Sequence, residues 1–199
     1  MDHAAWDERY RSRDFVWGVE PNRFLAEEAI ALPPGRALDL ACGEGRNALW
    51  LAEQGWTVTG VDFSGVAVDR ARSLASERGL GVEWVVADVV EWEPPPEAFD
   101  LAIILYLHLP PDRRRAVIGR ARSGLAPGGT LLVVGHDSTN ITDGYGGPQD
   151  PAVLYGPDDL VADLGGLAIE RAERVTRQVS ADGGDRTAID VLVRARRGS

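Results

Sequence analysis

A glycine-rich turn at the end of one apolar run, followed by a lone acid at the end of the next, constrains this chain more than any other feature. Ala37 to Ala41 read as a buried parallel strand and Gly43 and Gly45 as the sharp turn after it. NALWLAEQG then opens a helix whose first backbone N–H groups find no partner within the helix. Only small residues let a ligand come close to such a turn, because any Cβ would stand in its way. WTVTGVD forms a second strand ending in Asp62, 19 residues beyond Gly43. In a doubly wound sheet that position presents a carboxylate to the ribose hydroxyls of an adenosine, while the helix N-terminus faces the ligand. The pattern G-x-G-x-x-G is met with Ala48 in the third place, so the loop by itself fits a dinucleotide as well. Asp39, four residues before Gly43, tips the balance. An acid there suits a ligand carrying an ammonium group, which S-adenosylmethionine has and NAD lacks.

Four stretches in order, from Ala37 to Val134, resemble the class I S-adenosylmethionine-dependent methyltransferases. They are the glycine loop, the strand ending in Asp62, VVADVVEW at 85–92 and FDLAIILYLHL at 99–109 leading through a helix to LAPGGTLLVVGHD. The resemblance implies that Asp39, Ala41, Gly43, Gly45, Arg46, Asn47, Asp62, Phe63, Asp88, Val89 and Leu105 line the cofactor site. Asp88 stands where the family contacts adenine, and Arg46 where it can pair with the methionine carboxylate. The opening WDERYRSRDFVWGVEPNRFL and the Gly45-Arg46-Asn47 triplet are similar to methyltransferases of the tellurite-resistance and thiopurine type, which act on small soft nucleophiles. That likeness implies a small-molecule acceptor, with a thiol or chalcogen oxyanion first in line. A non-catalytic S-adenosylmethionine-binding protein and an NAD-dependent oxidoreductase are the competing readings.

Composition narrows the partners. A formal charge of -10 repels nucleic-acid phosphates, so no nucleic-acid substrate is expected. All 21 cationic side chains are Arg, which excludes Schiff-base or lysine-base chemistry. The dense run Arg113 to Arg115 reads as a solvated helix face. Cys42 alone cannot form an internal disulfide, fits a reducing cytoplasm and reads as a small apolar residue under the loop. No apolar run reaches the roughly 20 residues that span a bilayer, so no membrane partner is expected.

Strands near 36–41, 57–62, 82–87, 99–105 and 129–135 alternate with helices near 46–54, 65–78 and 112–124, the pattern of an α/β fold. Two helical segments, 2–13 and 21–32, precede them. At the end, 167–179 and 187–196 read as an antiparallel hairpin turning at Asp182-Gly183-Gly184. The expected architecture is a single domain with a Rossmann-like, doubly wound, seven-stranded sheet. Its parts are a helical cover at 1–35, a cofactor-binding core at 36–137, a lid-like loop with a short helix at 138–166 and the hairpin at 167–199. Methyl transfer depends mainly on alignment, but oxygen and nitrogen nucleophiles also need a base. His136, His108 and Asp137, at predicted strand ends facing the cleft, are the candidates, His136 first. No metal ligand cluster is expected. Tyr10, Trp17, Tyr106 and Tyr145 are the aromatics placed to touch ligand, since a sulfonium is attracted to aromatic faces. The chain offers no unambiguous pairing of a histidine with a carboxylate, which favours an acceptor that needs little help to ionise.

Overall fold

Strands β1 (Arg36–Leu40), β2 (Thr57–Asp62) and β4 (Phe99–Leu105) are near-continuous apolar runs, as strands covered on both faces must be. The computed structural model describes residues 3–12, 15–16, 18–181 and 183–198. The three strands lie in one seven-stranded sheet with β3 (Val82–Val86), β5 (Leu125–His136), β6 (Ala168–Ala181) and β7 (Gly184–Arg196), in the order β3-β2-β1-β4-β5-β7-β6. Strands β1 to β5 are parallel and β7 runs antiparallel between β5 and β6. The chain order reverses between β1 and β4, and in such a sheet the ligand crevice opens there, at the carboxyl ends.

Helices fill both faces. On one, α2 (Arg23–Ala29) and α3 (Arg46–Glu53) bury Phe24, Leu25, Ala48 and Leu51 against Leu101, Ile103, Leu132 and Leu192. On the other, α5 (Pro111–Gly124) and α7 (Pro157–Asp163) bury Val117, Ile118 and Leu160 against Leu38, Ala102, Leu131 and Val193. Helix α4 (Gly65–Glu77) covers β2 and β3 and meets α1 (His3–Arg11).

Local chemistry moves several boundaries from their expected places. Helix α2 begins at Arg23 because the Asn22 side chain accepts the N–H groups of Phe24 and Leu25 and so acts as the cap. Strand β5 takes in the Pro127-Gly128-Gly129 turn, with Leu125 already paired to Phe99 before the register shifts. Segment 138–166, expected as a lid-like loop with a short helix, is built of short elements. It contains α6 (Asn140–Asp143), a 3-10 turn at Pro151–Val153 and α7, and its second half packs Tyr155, Leu160 and Leu164 into the core. Arg114 leaves the expected solvated face: it is buried, bonded to Asp163 at 2.7 Å and set 4.9 Å over the Tyr155 ring. Asp182 and Trp17 lie outside the described residues. The hairpin outruns its neighbour. His136 ends β5 opposite Asp190, and Gly184 to Ile189 continue past the carboxyl edge for roughly 20 Å at the rise of a strand.

Candidate functional site

The turn after β1 is built around two acids. Asp62 Oδ2 accepts the Gly43 N–H at 2.8 Å and Oδ1 accepts the Ser64 N–H at 2.9 Å, tying the glycine loop to the end of β2. Burial raises the Asp62 pKa above the usual carboxylate range, against the pull of those two bonds. Asp39 is 1% exposed, and its Oδ2 is enclosed without a hydrogen-bond partner among the described residues. Burial first, then the Asp62 charge, push Asp39 up to about 7, while Arg46 and the Ala48 N–H work the other way. Gly45 sits at the N-terminus of α3 with φ 80°, and α3 has no side-chain cap. A Cβ on Gly45 would lie 2.5 Å from the Trp84 ring and 2.9 Å from Ala71, so both φ and space demand glycine. Ala41 and Tyr106, one after β1 and the other after β4, hold left-handed φ values of 62° and 57°. Each costs of order 1 kcal/mol or more, and such strain gathers at working sites.

The N-terminal segment is strapped over this loop. His3 Nε2 lies 2.7 Å from the Phe63 carbonyl, Ser64 donates to Asp7, and the Tyr10 hydroxyl sits where a Cβ on Gly43 would be 2.9 Å away. Further on, the Val16 N–H donates to Glu44 at 2.8 Å and the Asn22 N–H to Asn47 at 2.9 Å. Glu44 also pairs with Arg70 at 2.9 Å.

Across the reversal point a second cluster forms at the ends of β4, β5 and β7. His136 Nδ1 lies 3.1 Å from Asp190 Oδ1, an ion-pair contact rather than an aligned hydrogen bond, and neither atom has a hydrogen-bond partner among the described residues. Asp190 Oδ2 accepts the Tyr106 hydroxyl and Arg177 Nε, both at 2.7 Å. Burial alone would raise Asp190, but the nearby His136 ring, the Tyr106 hydrogen bond and the Arg177 charge outweigh it, and its pKa falls below the usual value. Burial and the Asp190 charge push the Tyr106 phenol up, so it stays a donor.

The other expected residues divide by bonding. His108 Nε2 accepts the His136 backbone N–H at 3.0 Å, and burial together with the His136 charge lowers its pKa to about 4. It is a neutral brace. Asp137 points to the opposite face of the sheet, where it accepts Arg174 Nε at 2.9 Å and both the N–H and hydroxyl of Thr139. Asp88 caps its own turn through the Val90 N–H at 2.9 Å and pairs with Arg113 at 3.1 Å. Val89 and Leu105 are buried apolar residues, Phe63 is half-buried and Tyr145 is exposed. Burial pushes the Cys42 thiol well up, as suits a packing residue. Among the described residues no cluster could hold a metal ion, and no helix is long and apolar enough to cross a membrane.

Comparison with known proteins bears on this geometry directly. The family described as "Methyltransferase domain" matches residues 37–129, the stretch that holds the glycine loop and Asp62. That stretch, a little under half of the chain, is similar to a methyltransferase domain. Among relatives, 2-heptyl-1-hydroxyquinolin-4(1H)-one methyltransferase of Mycobacteroides abscessus is 32% identical over 118 residues, 58% of this chain and 52% of that protein. Thiocyanate methyltransferase 1 of Brassica oleracea is 28% identical over 180 residues, 87% of this chain and 78% of that protein. The structure described for conversion of a disulfide bond into a thioacetal group during echinomycin biosynthesis superposes with a TM-score of 0.78 at 26% identity, covering 98% of this chain and 92% of that one. The chain spans about half the length of the first curated relatives it matches.

The residues of the matched stretch fit S-adenosylmethionine. The partnerless Asp39 oxygen suits an ammonium group, the uncapped α3 N-terminus offers N–H donors, and the carboxylate of Asp62 keeps lone pairs for hydroxyls. Asp190, Arg177 and the strap contacts of Glu44 were missed in the sequence. One signal for Asp190 was available: it is a lone acid in the apolar run AIDVLV, on the same face as Ala188 and Leu192, both buried.

Proposed function

We propose that this domain transfers the methyl group of S-adenosylmethionine to a small-molecule acceptor, and that a sulfur nucleophile is the first acceptor class to try. The observation that carries the reading is the partnerless carboxylate oxygen of Asp39 beside the uncapped α3 N-terminus, one strand away from the His136 cluster. In this reading Asp39 holds the ammonium group, Arg46 the methionine carboxylate and Asp62 the ribose hydroxyls. When bound there, the cofactor supplies an electrophilic methyl on a sulfonium. The chain's own work is then to hold the acceptor in line, keep water away and take up a proton. Arg46 lies within electrostatic reach of Asp39, Tyr106 and Arg177, so it borders both halves of the cleft. His136 is the candidate base.

The sulfur preference draws on the two similar proteins whose names concern thiocyanate and a thioacetal. One premise behind it changes, because a histidine does face a buried carboxylate here. Calorimetric titration with S-adenosylmethionine, S-adenosylhomocysteine and NADH tests the cofactor. Tight binding of the first two and none of NADH is expected, and the reverse order would move the chain to the oxidoreductase reading. Turnover with a panel of alkyl thiols and phenols tests the reaction. Binding without methylation of any acceptor would leave the non-catalytic reading.

A further inference from the structure

The His136 ring is clamped on every side but one. His108 stacks on one face with centroids 5.3 Å apart and planes 22° apart. On the Gly147 side a Cβ would lie 2.7 Å from the ring, and Gly147 at φ 77° brings backbone there instead. The Tyr106 ring meets it edge-on at 5.1 Å. Nδ1 lies 3.1 Å from Asp190 Oδ1 as a charge contact, and neither atom has a hydrogen-bond partner among the described residues. Nε2 makes no hydrogen bond among them and, unlike Nδ1, is not fully enclosed. The pair is fixed by register, since Asp190 and His136 stand directly opposite each other on β7 and β5 and project to the same face.

We infer that Asp190 is the positioning residue that keeps the His136 proton on Nδ1, so that Nε2 takes a proton from an acceptor that arrives protonated. A carboxylate facing Nδ1 favours the tautomer with hydrogen on Nδ1 and stabilises the imidazolium once it forms. Tyr106 and Arg177 hold the second Asp190 oxygen, so the carboxylate cannot turn away. The groups facing His136 are Asp190 on β7, Tyr106 and His108 after β4, and Arg177 on β6, which reaches it through Asp190. His108 stays neutral and does not compete for the proton. In the step itself the acceptor X–H bond breaks, with its proton going to Nε2. The X lone pair forms the bond to the methyl carbon, and the carbon–sulfonium electron pair returns to sulfur. The products are the methylated acceptor, a neutral thioether and a protonated His136 that releases its proton to water.

This inference rests on the methyltransfer reading, and its test separates the two. Asp190→Asn keeps side-chain size and one acceptor oxygen, but offers Nδ1 an amide donor. Two measurements apply to wild type and variant. The first is the nitrogen NMR spectrum of the His136 imidazole, which needs no turnover: wild type is expected with hydrogen on Nδ1 and Asp190→Asn with hydrogen on Nε2. The second is turnover at pH 6 to 9 with two probes, an alkyl thiol, protonated at neutral pH, and iodide, a soft anion with no proton to lose. The variant should lose ~100- to 10,000-fold on the thiol at low pH, recover as the thiol ionises, and change by less than about threefold on iodide. A wild-type spectrum with hydrogen on Nε2, or equal losses on both probes, overturns the inference. If wild type methylates neither probe nor any other acceptor, the methyltransfer reading falls, and the tautomer alone decides whether Asp190 positions His136.

Discussion

Asp39 and Asp190 are both buried carboxylates at the carboxyl edge of one sheet, 1% and 0% exposed, and they titrate in opposite directions. Asp39, with one oxygen unpartnered and Asp62 nearby, is raised to about 7. Asp190, ringed by Tyr106, Arg177 and His136, is lowered. Desolvation is the largest single influence on each, so burial cannot be what separates them. Partners are. In the proposed function, the half around Asp39 leaves a carboxylate waiting for a cation, whereas the half around Asp190 gives its carboxylate two donors on Oδ2, Tyr106 and Arg177, and leaves Oδ1 facing the His136 ring. In that proposal the first half contributes binding energy and the second contributes geometry.

Truncation should break the comparison most sharply. Asp190→Ala leaves the Arg177 guanidinium and the Tyr106 hydroxyl without their shared acceptor in the interior, and removal of one member of such a buried pair costs about 3–5 kcal/mol. Denaturant unfolding is expected to show that loss. A change under 1 kcal/mol would mean that Arg177, a quarter exposed, turns to water and that the cluster holds little of the fold together. Asp39→Asn should do the reverse. The fold is retained or strengthened, because a costly buried charge is removed, while affinity for S-adenosylmethionine falls. A hydrogen bond to a charged group is worth about 1.5–3 kcal/mol, so the dissociation constant should rise roughly 10- to 150-fold by calorimetry. An unchanged constant would remove Asp39 from the ammonium site.

The same division explains what could be read from the sequence. The cofactor half is written in consecutive residues: Asp39 to Asn47 and then Asp62 carry turn, helix start and acid in fixed spacing, and the parallel strands follow from continuous apolar runs. The acceptor half is assembled across distance. His136 and Asp190 meet only because β7 folds back antiparallel beside β5 in one register, and no local pattern specifies that register. Arg177 arrives two residues along β6 from Val175, the residue paired with Asp190. Strand polarity likewise decided Asp137: adjacent to His136 in sequence, it points to the other face and anchors Thr139 and Arg174. Segment 138–166 reads as polar because its buried residues, Tyr155, Leu160 and Leu164, are few and spaced among Gly, Pro and Asp.

The smallest effect is the one that tests the electrostatic contrast itself. Asp39 binds its proton more tightly in the folded protein than in the unfolded chain, so from about pH 4 to 7 the native state holds more protons. Its contribution therefore makes the ligand-free protein less stable as pH rises, by at most about 1.4 kcal/mol per unit, levelling off above 7. Asp190 has the opposite sign: its stabilisation is present above the ordinary carboxylate value and is lost only as pH falls through its lowered value. Unfolding free energies at pH 5, 6 and 7 for wild type and Asp39→Asn isolate the first slope, since the substitution deletes it and leaves Asp190 untouched. Wild type should lose stability relative to the variant across that range. An ammonium ligand favours the ionised Asp39, so binding at pH 6 should release close to one proton and strengthen up to tenfold by pH 7, read as a heat that depends on the buffer. Equal slopes in the two proteins and no proton release would show Asp39 to be ionised already, and the contrast between the two halves of the cleft would then rest on geometry alone.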